Sequence, residues 1–275
     1  MTMYLRRRAQ FSAAYSRPQD SGMGRGHDFV CELTIGGKID PRTGMVVNIK
    51  DVDTALKAKV VGALHGKMLD TEVTAFYDRP PTLENLALFI YEECQSAFLP
   101  QAVLERVTLW QTPTLRAEIL AAHELENPSM LTLTRAYDFS ASHRLHSAAL
   151  TDAENAELFG KCNWANGHGH NYDVEVTLAG ESDQATGQLA PLEKLDAIVE
   201  EVVLKPYDHK HLNFDTVDFR DLNPTSENLT KVIWDNLSRR LEEEPLGNAQ
   251  LYKVVVRETA RNYFEYYGNG TLGSR

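Results

Sequence analysis

What this chain lacks narrows its possibilities before any motif is read. It has only 3 cysteines, Cys31, Cys94 and Cys162, too few and too scattered for a disulfide framework, so a reducing cytoplasm is the expected compartment. Positive charge is also short: 28 Lys and Arg stand against 39 Asp and Glu, a formal net charge of -11. Nucleic acid demands clustered cations, and no nucleic-acid partner is expected. No apolar run approaches the roughly 20 residues needed to cross a bilayer. Met1 to Arg8 leads into a polar, glycine-containing segment, so neither a membrane partner nor an export signal is expected. With 43% hydrophobic and 24% charged residues among 275, the chain reads as globular, with room for one large domain or two small ones.

What is there is the same pattern twice. Phe11-Ser12-Ala13-Ala14 recurs as Phe139-Ser140-Ala141-Ser142, and Gly26-His27-Asp28-Phe29 recurs as Gly169-His170-Asn171-Tyr172. Pro81-Thr82-Leu83-Glu84-Asn85-Leu86 returns as Pro224-Thr225-Ser226-Glu227-Asn228-Leu229. The offset is 128 residues at the first match and 143 at the other two, so the second copy carries 15 extra residues, placed between Leu145 and His168. Two domains are expected, residues 1–119 and 131–268, with Asn127-Pro128-Ser129 as punctuation between them.

Each copy has the same order of local patterns. Tyr172, Val174, Val176 and Leu178 alternate with polar residues, as do Phe29, Cys31, Leu33 and Ile35, the period-2 signature of a strand with one buried face. Leu192, Leu195, Ile198, Val199, Val202 and Val203 recur at helical spacing. A second amphipathic helix follows Pro224, and Leu251 to Thr259 and Tyr263 to Tyr267 return to strand composition. The predicted unit is strand, strand, helix, helix, strand, strand.

The densest chemistry lies in Cys162-Asn163-Trp164-Ala165-Asn166-Gly167-His168-Gly169-His170. His168 and His170 are two apart at the entry to a strand and share a face, so both imidazoles can converge on one ion, although a chain with 9 histidines also produces such a pair by chance. His143, at the end of the preceding strand, supplies a third ligand if the two strands pair. Three imidazoles leave a tetrahedral zinc one open position, the catalytic arrangement. Asp208-His209 is either a proton relay or an ordinary polar helix terminus. Cys162 is either a small buried hydrophobe or a reactive thiol in a polar loop. Glu258 falls on the apolar face of the strand carrying Tyr252, Val254 and Val256, and a buried carboxylate needs a protein donor or the N–H groups of a ligand.

Taken together, Phe139-Ser140-Ala141-Ser142-His143, Phe159-Gly160-Lys161-Cys162-Asn163, Asn166 through Tyr172, Lys205 through Lys210, Thr225-Ser226-Glu227-Asn228 and Leu251 through Thr259 resemble the 6-pyruvoyltetrahydropterin synthase family over residues 131–268. The resemblance implies an α+β class of two tandem tunnelling-fold units, each a four-stranded antiparallel sheet with two helices on one face, with several units closing into a barrel. It implies zinc held by His143, His168 and His170, proton transfer by Cys162, Asp208 and His209, and pterin anchoring by Glu258 with Thr225, Ser226 and Glu227. The implied lyase reaction converts 7,8-dihydroneopterin triphosphate to 6-pyruvoyltetrahydropterin with release of triphosphate.

The first copy departs from this set. Tyr15 stands for His143, Arg25 for His168, His65 and Gly66 for Asp208 and His209, and Gln111 for Glu258; only His27 remains of the ligands, and the insert bearing Cys162 is missing. Residues 1–119 are therefore read as a degenerate, non-catalytic copy. A related family type, 6-carboxytetrahydropterin synthase of deazapurine biosynthesis, shares the implied ligands; its usual spacing of three residues between Cys and His-Gly-His contrasts with the five here, Asn163 to Gly167. A non-catalytic pterin-binding assembly protein is the reading from another class, against which all the second copy's key positions survive. Sheet edges call for closure, and the resemblance to a family whose units close in threes and stack to six implies a homo-oligomer, a trimer of two-unit chains first and a dimer next.

Overall fold

The computed structural model describes residues 2–16, 24–121 and 130–268, so the expected punctuation at Asn127-Pro128-Ser129 lies outside the described residues. The chain divides into two compact units. The first holds Met1–Thr134, Ala179–Leu189 and Gly247–Ala249; the second holds Arg135–Leu178, Ala190–Leu246 and Gln250–Arg275.

In the first unit β1 (Met3–Tyr15) and β2 (Arg25–Gly37) pair antiparallel, with Phe11 opposite Phe29. Helix α1 (Ile49–Ala55) widens into a π turn at Leu56–Val61 and ends at Gly62–Leu64. Helix α2 (Leu83–Cys94) then leads to β3 (Ala102–Thr112) and β4 (Leu115–Leu120), and the sheet order is β1-β2-β3-β4. The predicted alternation is realised: Cys31, Leu33 and Ile35 are fully buried, as are Val60, Leu86 and Ile90 of the helices. Phe11 and Phe29 stack with ring centroids 5.0 Å apart.

The second unit repeats this plan. Its sheet runs β5 (Met130–His143), β6 (His168–Gly180), β8 (Gln250–Thr259), β9 (Asn262–Tyr266), and a two-residue strand β7 (Lys210–His211) pairs parallel with β5. Phe139 and Tyr172 stack at 5.1 Å, in the places of Phe11 and Phe29. The inserted residues fold as α3 (Asp152–Phe159), a helix the sequence pattern did not announce. Helix α4 (Leu192–Val199) widens at Glu200–Leu204 and finishes at Lys205–Tyr207, and α5 (Ser226–Glu243) packs against β8 and β9. Leu195, Val199, Leu229, Ile233 and Leu237 form the buried stripe of these helices. Each unit is thus a four-stranded sheet backed by two helices, the expected class.

Local chemistry explains the helix starts. Thr82 and Thr225 each accept the N–H three residues on, satisfying a helix-end donor. Thr151 and Glu154 form a reciprocal capping box at α3. Asn155, fully buried, closes the insert: its Oδ1 accepts the Ser147 N–H at 2.7 Å, and its Nδ2 serves the carbonyls of Ser147, Leu150 and Thr151 at 2.9, 3.1 and 3.0 Å. Removing that amide strands buried backbone groups. Asn155→Ala is expected to lower stability by about 2–3 kcal/mol in denaturant unfolding; a loss within experimental error would show that the insert is held some other way.

Candidate active site

Three imidazoles converge in the second unit. His143 closes β5, and His168 and His170 open the neighbouring β6, where side chains two apart share a face. His143 Nε2 lies 3.2 Å from His168 Nε2, and one ring nitrogen from each of the three lies within 4.8 Å of the others. Bonds of about 2.0–2.1 Å to a tetrahedral zinc put ligand atoms about 3.3 Å apart. The group is therefore near ligating geometry. Among the described residues it is the one cluster of His, Cys, Asp or Glu so placed.

The surroundings disfavour protonation of two of these rings, His143 and His168. His143 is 1% exposed, and burial is the largest cause holding it down to about 4, with the neighbouring His168 acting in the same direction. Its Nδ1 lies 2.7 Å from the Pro224 carbonyl, which fixes the proton on Nδ1 and leaves the Nε2 lone pair for an ion. Burial, then His170, also lowers His168. His168 Nδ1 and His170 Nε2 are buried without hydrogen-bond partners. Imidazoles gathered in one place, with buried ring nitrogens that lack hydrogen-bond partners, suit a metal ion, so the residues fit the group the sequence implied.

Glu258 completes this centre. Its Oε1 lies 3.6 Å from both His143 Nε2 and His170 Nε2, while Oε2 accepts from Asn262 Nδ2 at 2.8 Å. One oxygen has a protein donor and the other faces the imidazoles. Pro224 precedes Thr225, Ser226 and Glu227, so His143's hydrogen bond sets the start of α5 beside the centre. Thr225 caps that helix, Glu227 is exposed, and Ser226, 5% exposed, buries a hydroxyl with no partner.

Asp208 and His209 are joined directly, His209 Nδ1 to Asp208 Oδ1 at 2.9 Å. Asp208 also accepts the Ser140 N–H at 3.0 Å, and this bond, then the one from His209, holds its carboxyl below the usual carboxylate range. His209 takes a left-handed backbone, φ 55°, with its N–H on the Ser140 carbonyl at 2.6 Å. The preceding Tyr207 is fully buried, donating to Asp218 at 2.7 Å and accepting from Asn236 at 3.0 Å, which pins the helix end. A cavity of about 560 Å³ in this unit is lined by Ser140, Ser142, His170, Asn171, His209 and Lys210 among others, so one of the three clustered imidazoles and the imidazole of His209 share one opening.

Cys162 does not line that cavity. It lies in the Gly160–Asn163 turn after α3, its carbonyl accepting the Leu145 N–H at 2.8 Å. Tyr172 brings its hydroxyl to 3.5 Å from His143 Nδ1. Sequence reasoning missed Pro224 and Tyr172 as supports for His143 because backbone acceptors and buried aromatics leave no motif. It also passed over His211, whose ring nitrogens are buried without hydrogen bonds against Phe214, 4.3 Å between centroids; two residues from His209, it was in plain view.

The first unit keeps the frame and changes the groups. Its matching cavity, about 490 Å³, is lined by Ser12, Ala13, Ala14, Gly26, His27, Asp28, Gly66, Lys67, Met68 and Glu72, each the repeat counterpart of a residue lining the other. Gly66 replaces His209 with φ 73° and donates to the Ser12 carbonyl at 2.7 Å. His65 Nδ1 accepts the Ser12 N–H at 3.1 Å, as Asp208 does from Ser140. Tyr15, in the place of His143, is 7% exposed, accepts from Gln111 Nε2 at 3.3 Å and packs on His27 at 5.4 Å, while Arg25 is exposed.

Comparison with known proteins agrees with this doubled plan. The family described as 6-pyruvoyl tetrahydropterin synthase matches the chain twice, at residues 4–122 and 132–269. The chain belongs to that family. The 6-pyruvoyl tetrahydrobiopterin synthase of Homo sapiens is 50% identical over 136 residues, covering 50% of this chain and 90% of the relative. A 6-carboxy-5,6,7,8-tetrahydropterin synthase of Aquifex aeolicus is 30% identical over 160 residues, covering 49% and 96%. The solved 6-pyruvoyl tetrahydropterin synthase of Caenorhabditis elegans is 42% identical with a TM-score of 0.48, covering 51% and 96%. No helix among the described residues is long and apolar enough to cross a membrane.

A histidine held neutral by the fold costs stability once the unfolded chain takes up its proton. His143 falls from 6.5 to about 4, so stability of the metal-free protein is expected to decline as pH drops through that window and to lose this dependence below it. The measurement is the unfolding midpoint of chelator-treated protein against pH, compared with His143→Leu, which should show the shallower slope. Equal slopes would remove His143 as the cause.

Proposed function

We propose that the second unit is a zinc-dependent pterin synthase converting 7,8-dihydroneopterin triphosphate to 6-pyruvoyltetrahydropterin with release of triphosphate, and that residues 1–119 form its non-catalytic copy. The observation that supports this best is the convergence of His143, His168 and His170 with Glu258 Oε1 3.6 Å from two of the rings. Zinc bound by the three imidazoles would polarise the side-chain hydroxyls of the substrate. Asp208 keeps the proton of His209 on Nδ1 and presents Nε2 as the base, and Cys162 supplies the second proton-transfer group from the insert side. Glu258, helped by Thr225, Ser226 and Glu227, is the acceptor for paired ring N–H groups of the pterin. The chemistry is an internal rearrangement that needs no redox cofactor.

The second reading is the carboxy-type reaction on the same substrate, kept by the Aquifex relative. Purified protein incubated with zinc and dihydroneopterin triphosphate should yield the pyruvoyl product by mass; the carboxy product would transfer the chain to the second reading, and no product would leave a binding protein. The assembly read with this function is a trimer, bringing six units together.

Metal analysis should find about one zinc per chain, and His168→Ala should lose both metal and activity, because two imidazoles rarely hold a catalytic zinc. Two zincs per chain would contradict a dead first copy. Cys162→Ala should keep its zinc while kcat falls by about two to four orders of magnitude, whereas Glu258→Gln should act mainly on KM. Unchanged kcat in the cysteine variant would leave proton transfer to Asp208 and His209 alone.

A further inference from the structure

Tyr207 carries a hydroxyl that packing alone does not require. The side chain is fully buried at the end of α4, its ring centroid 6.1 Å from those of Phe139 and Phe219. In the first copy Leu64 stands at this place, also fully buried, with Phe11 and Phe76 in the places of Phe139 and Phe219. A leucine therefore suffices to fill the space. A buried phenol is tolerated where its oxygen is paired, and this one is paired in both senses: it donates to Asp218 Oδ2 at 2.7 Å and accepts from Asn236 Nδ2 at 3.0 Å. Burial, then the bond to Asp218, holds the phenol above its ordinary range, so it stays protonated.

The hydroxyl and its partners are replaced together in the first copy. Ala75 stands for Asp218 and Glu93 for Asn236, and the Glu93 carboxylate lies 3.6 Å from Lys59 Nζ. Yet the backbone turn that follows is the same in both copies. Asp208 N–H bonds to the Leu204 carbonyl at 2.8 Å, as His65 N–H bonds to that of Val61 at 2.8 Å. His209 N–H meets the Ser140 carbonyl at 2.6 Å, as Gly66 N–H meets that of Ser12 at 2.7 Å. The turn thus forms without the network. What differs is the residue at its left-handed position: glycine takes φ 73° at no steric cost, whereas histidine at φ 55° brings its Cβ against the backbone. The network accompanies the histidine.

Tyr207 is one residue from Asp208 and two from His209. Its ring packs on Phe139, the residue before Ser140, whose N–H holds Asp208 and whose carbonyl holds His209. Beyond the turn, Lys210 and His211 are pinned as β7 beside Ala141 and Ser142. The relay hangs between two fixed points, a short strand on one side and, on the other, a phenol oxygen tied to α5 and to the loop before it. We propose that the Tyr207 hydroxyl, with Asp218 and Asn236, is a positioning group for the relay, holding His209 in the left-handed conformation that presents its imidazole to the cavity it shares with His170. This rests on the assignment of Asp208 and His209 to proton transfer, and it adds to them three residues outside the cavity lining.

Two readouts on the full-length protein separate positioning from plain stability. Tyr207→Phe keeps the ring and removes both bonds; its kcat should fall about tenfold or more with KM unchanged, the scale of a misplaced group. His209→Ala, which removes the group, should lose about two to four orders of magnitude. In the His209→Ala background Tyr207→Phe should cost nothing further, because no imidazole is left to place. Asp218→Asn retains an oxygen acceptor and should keep kcat, whereas Asp218→Ala should behave like Tyr207→Phe. Hydrogen exchange, which needs neither metal nor substrate, should show the His209 and Ser140 amides exchanging about tenfold faster in Tyr207→Phe than in the unmodified chain, with the amides of β6 unchanged. Tyr207→Phe at full kcat, a loss of kcat that persists in the His209→Ala background, or exchange quickened everywhere alike would each overturn the proposal. His209→Ala at full kcat would instead overturn the relay assignment, and the proposal with it.

Discussion

The hydrogen bond between His143 Nδ1 and the Pro224 carbonyl, 2.7 Å long, is the contact on which the second unit's site is organised. It joins the end of β5 to Pro224, two residues before α5, across 81 positions of the chain. It selects the tautomer, turning Nε2 toward His168 and Glu258, and it sets the start of α5 against the same ring. Because His143 is 1% exposed, neither ring rotation nor water can substitute for that carbonyl. The other ligands are set by the pleat of β6, which requires only that residues two apart share a face. A strand end, a helix start and a pleat together locate three nitrogens.

The first unit shows which parts of that arrangement are backbone and which are side chain. Its cavity has the same ten counterparts around it, and the same N–H and carbonyl of Ser12 are engaged by His65 and Gly66. The differences include the groups that would meet an ion or a substrate: Tyr15 packs on His27 and accepts a hydrogen bond from Gln111, where the second unit has imidazole beside carboxylate. Selection for packing and selection for ligation have acted separately on one fold. Gly66 also marks what His209 tolerates, since a left-handed backbone is easy for glycine and uncommon for histidine, and two hydrogen bonds, from its N–H and to Asp208, hold His209 there.

Much of this was legible in the sequence because the repeat compares the chain with itself. Positions such as Cys31, Leu33 and Ile35 announced their strand through alternation, and Pro-Thr-x-Glu-Asn announced two helix starts. His168-Gly169-His170 announced a cluster of imidazoles because strand periodicity converts spacing into direction. What stayed hidden depends on backbone atoms or on distant partners: the Pro224 carbonyl, the Tyr172 hydroxyl, the α3 helix built from a short polar insert, and the Leu189 N–H that buried Glu84 accepts. Polar residues of a helix start look alike in a sequence whether their hydroxyl and carboxylate meet water or a buried turn.

The widened turns at Leu56–Val61 and Glu200–Leu204 stand at matching places in the two repeats. A π turn holds one residue more than the α-helix around it, and each residue advances a helix by about 100°. That surplus residue acts as a shim: it sets the angular phase at which α4 ends, and hence brings Asp208 and His209 beneath the Ser140 backbone instead of around the side of the helix. Its presence in both copies means that the phase was settled in a single ancestral unit. Doubling the chain came afterwards, and the side chains of the two copies diverged on a scaffold whose phase was already set.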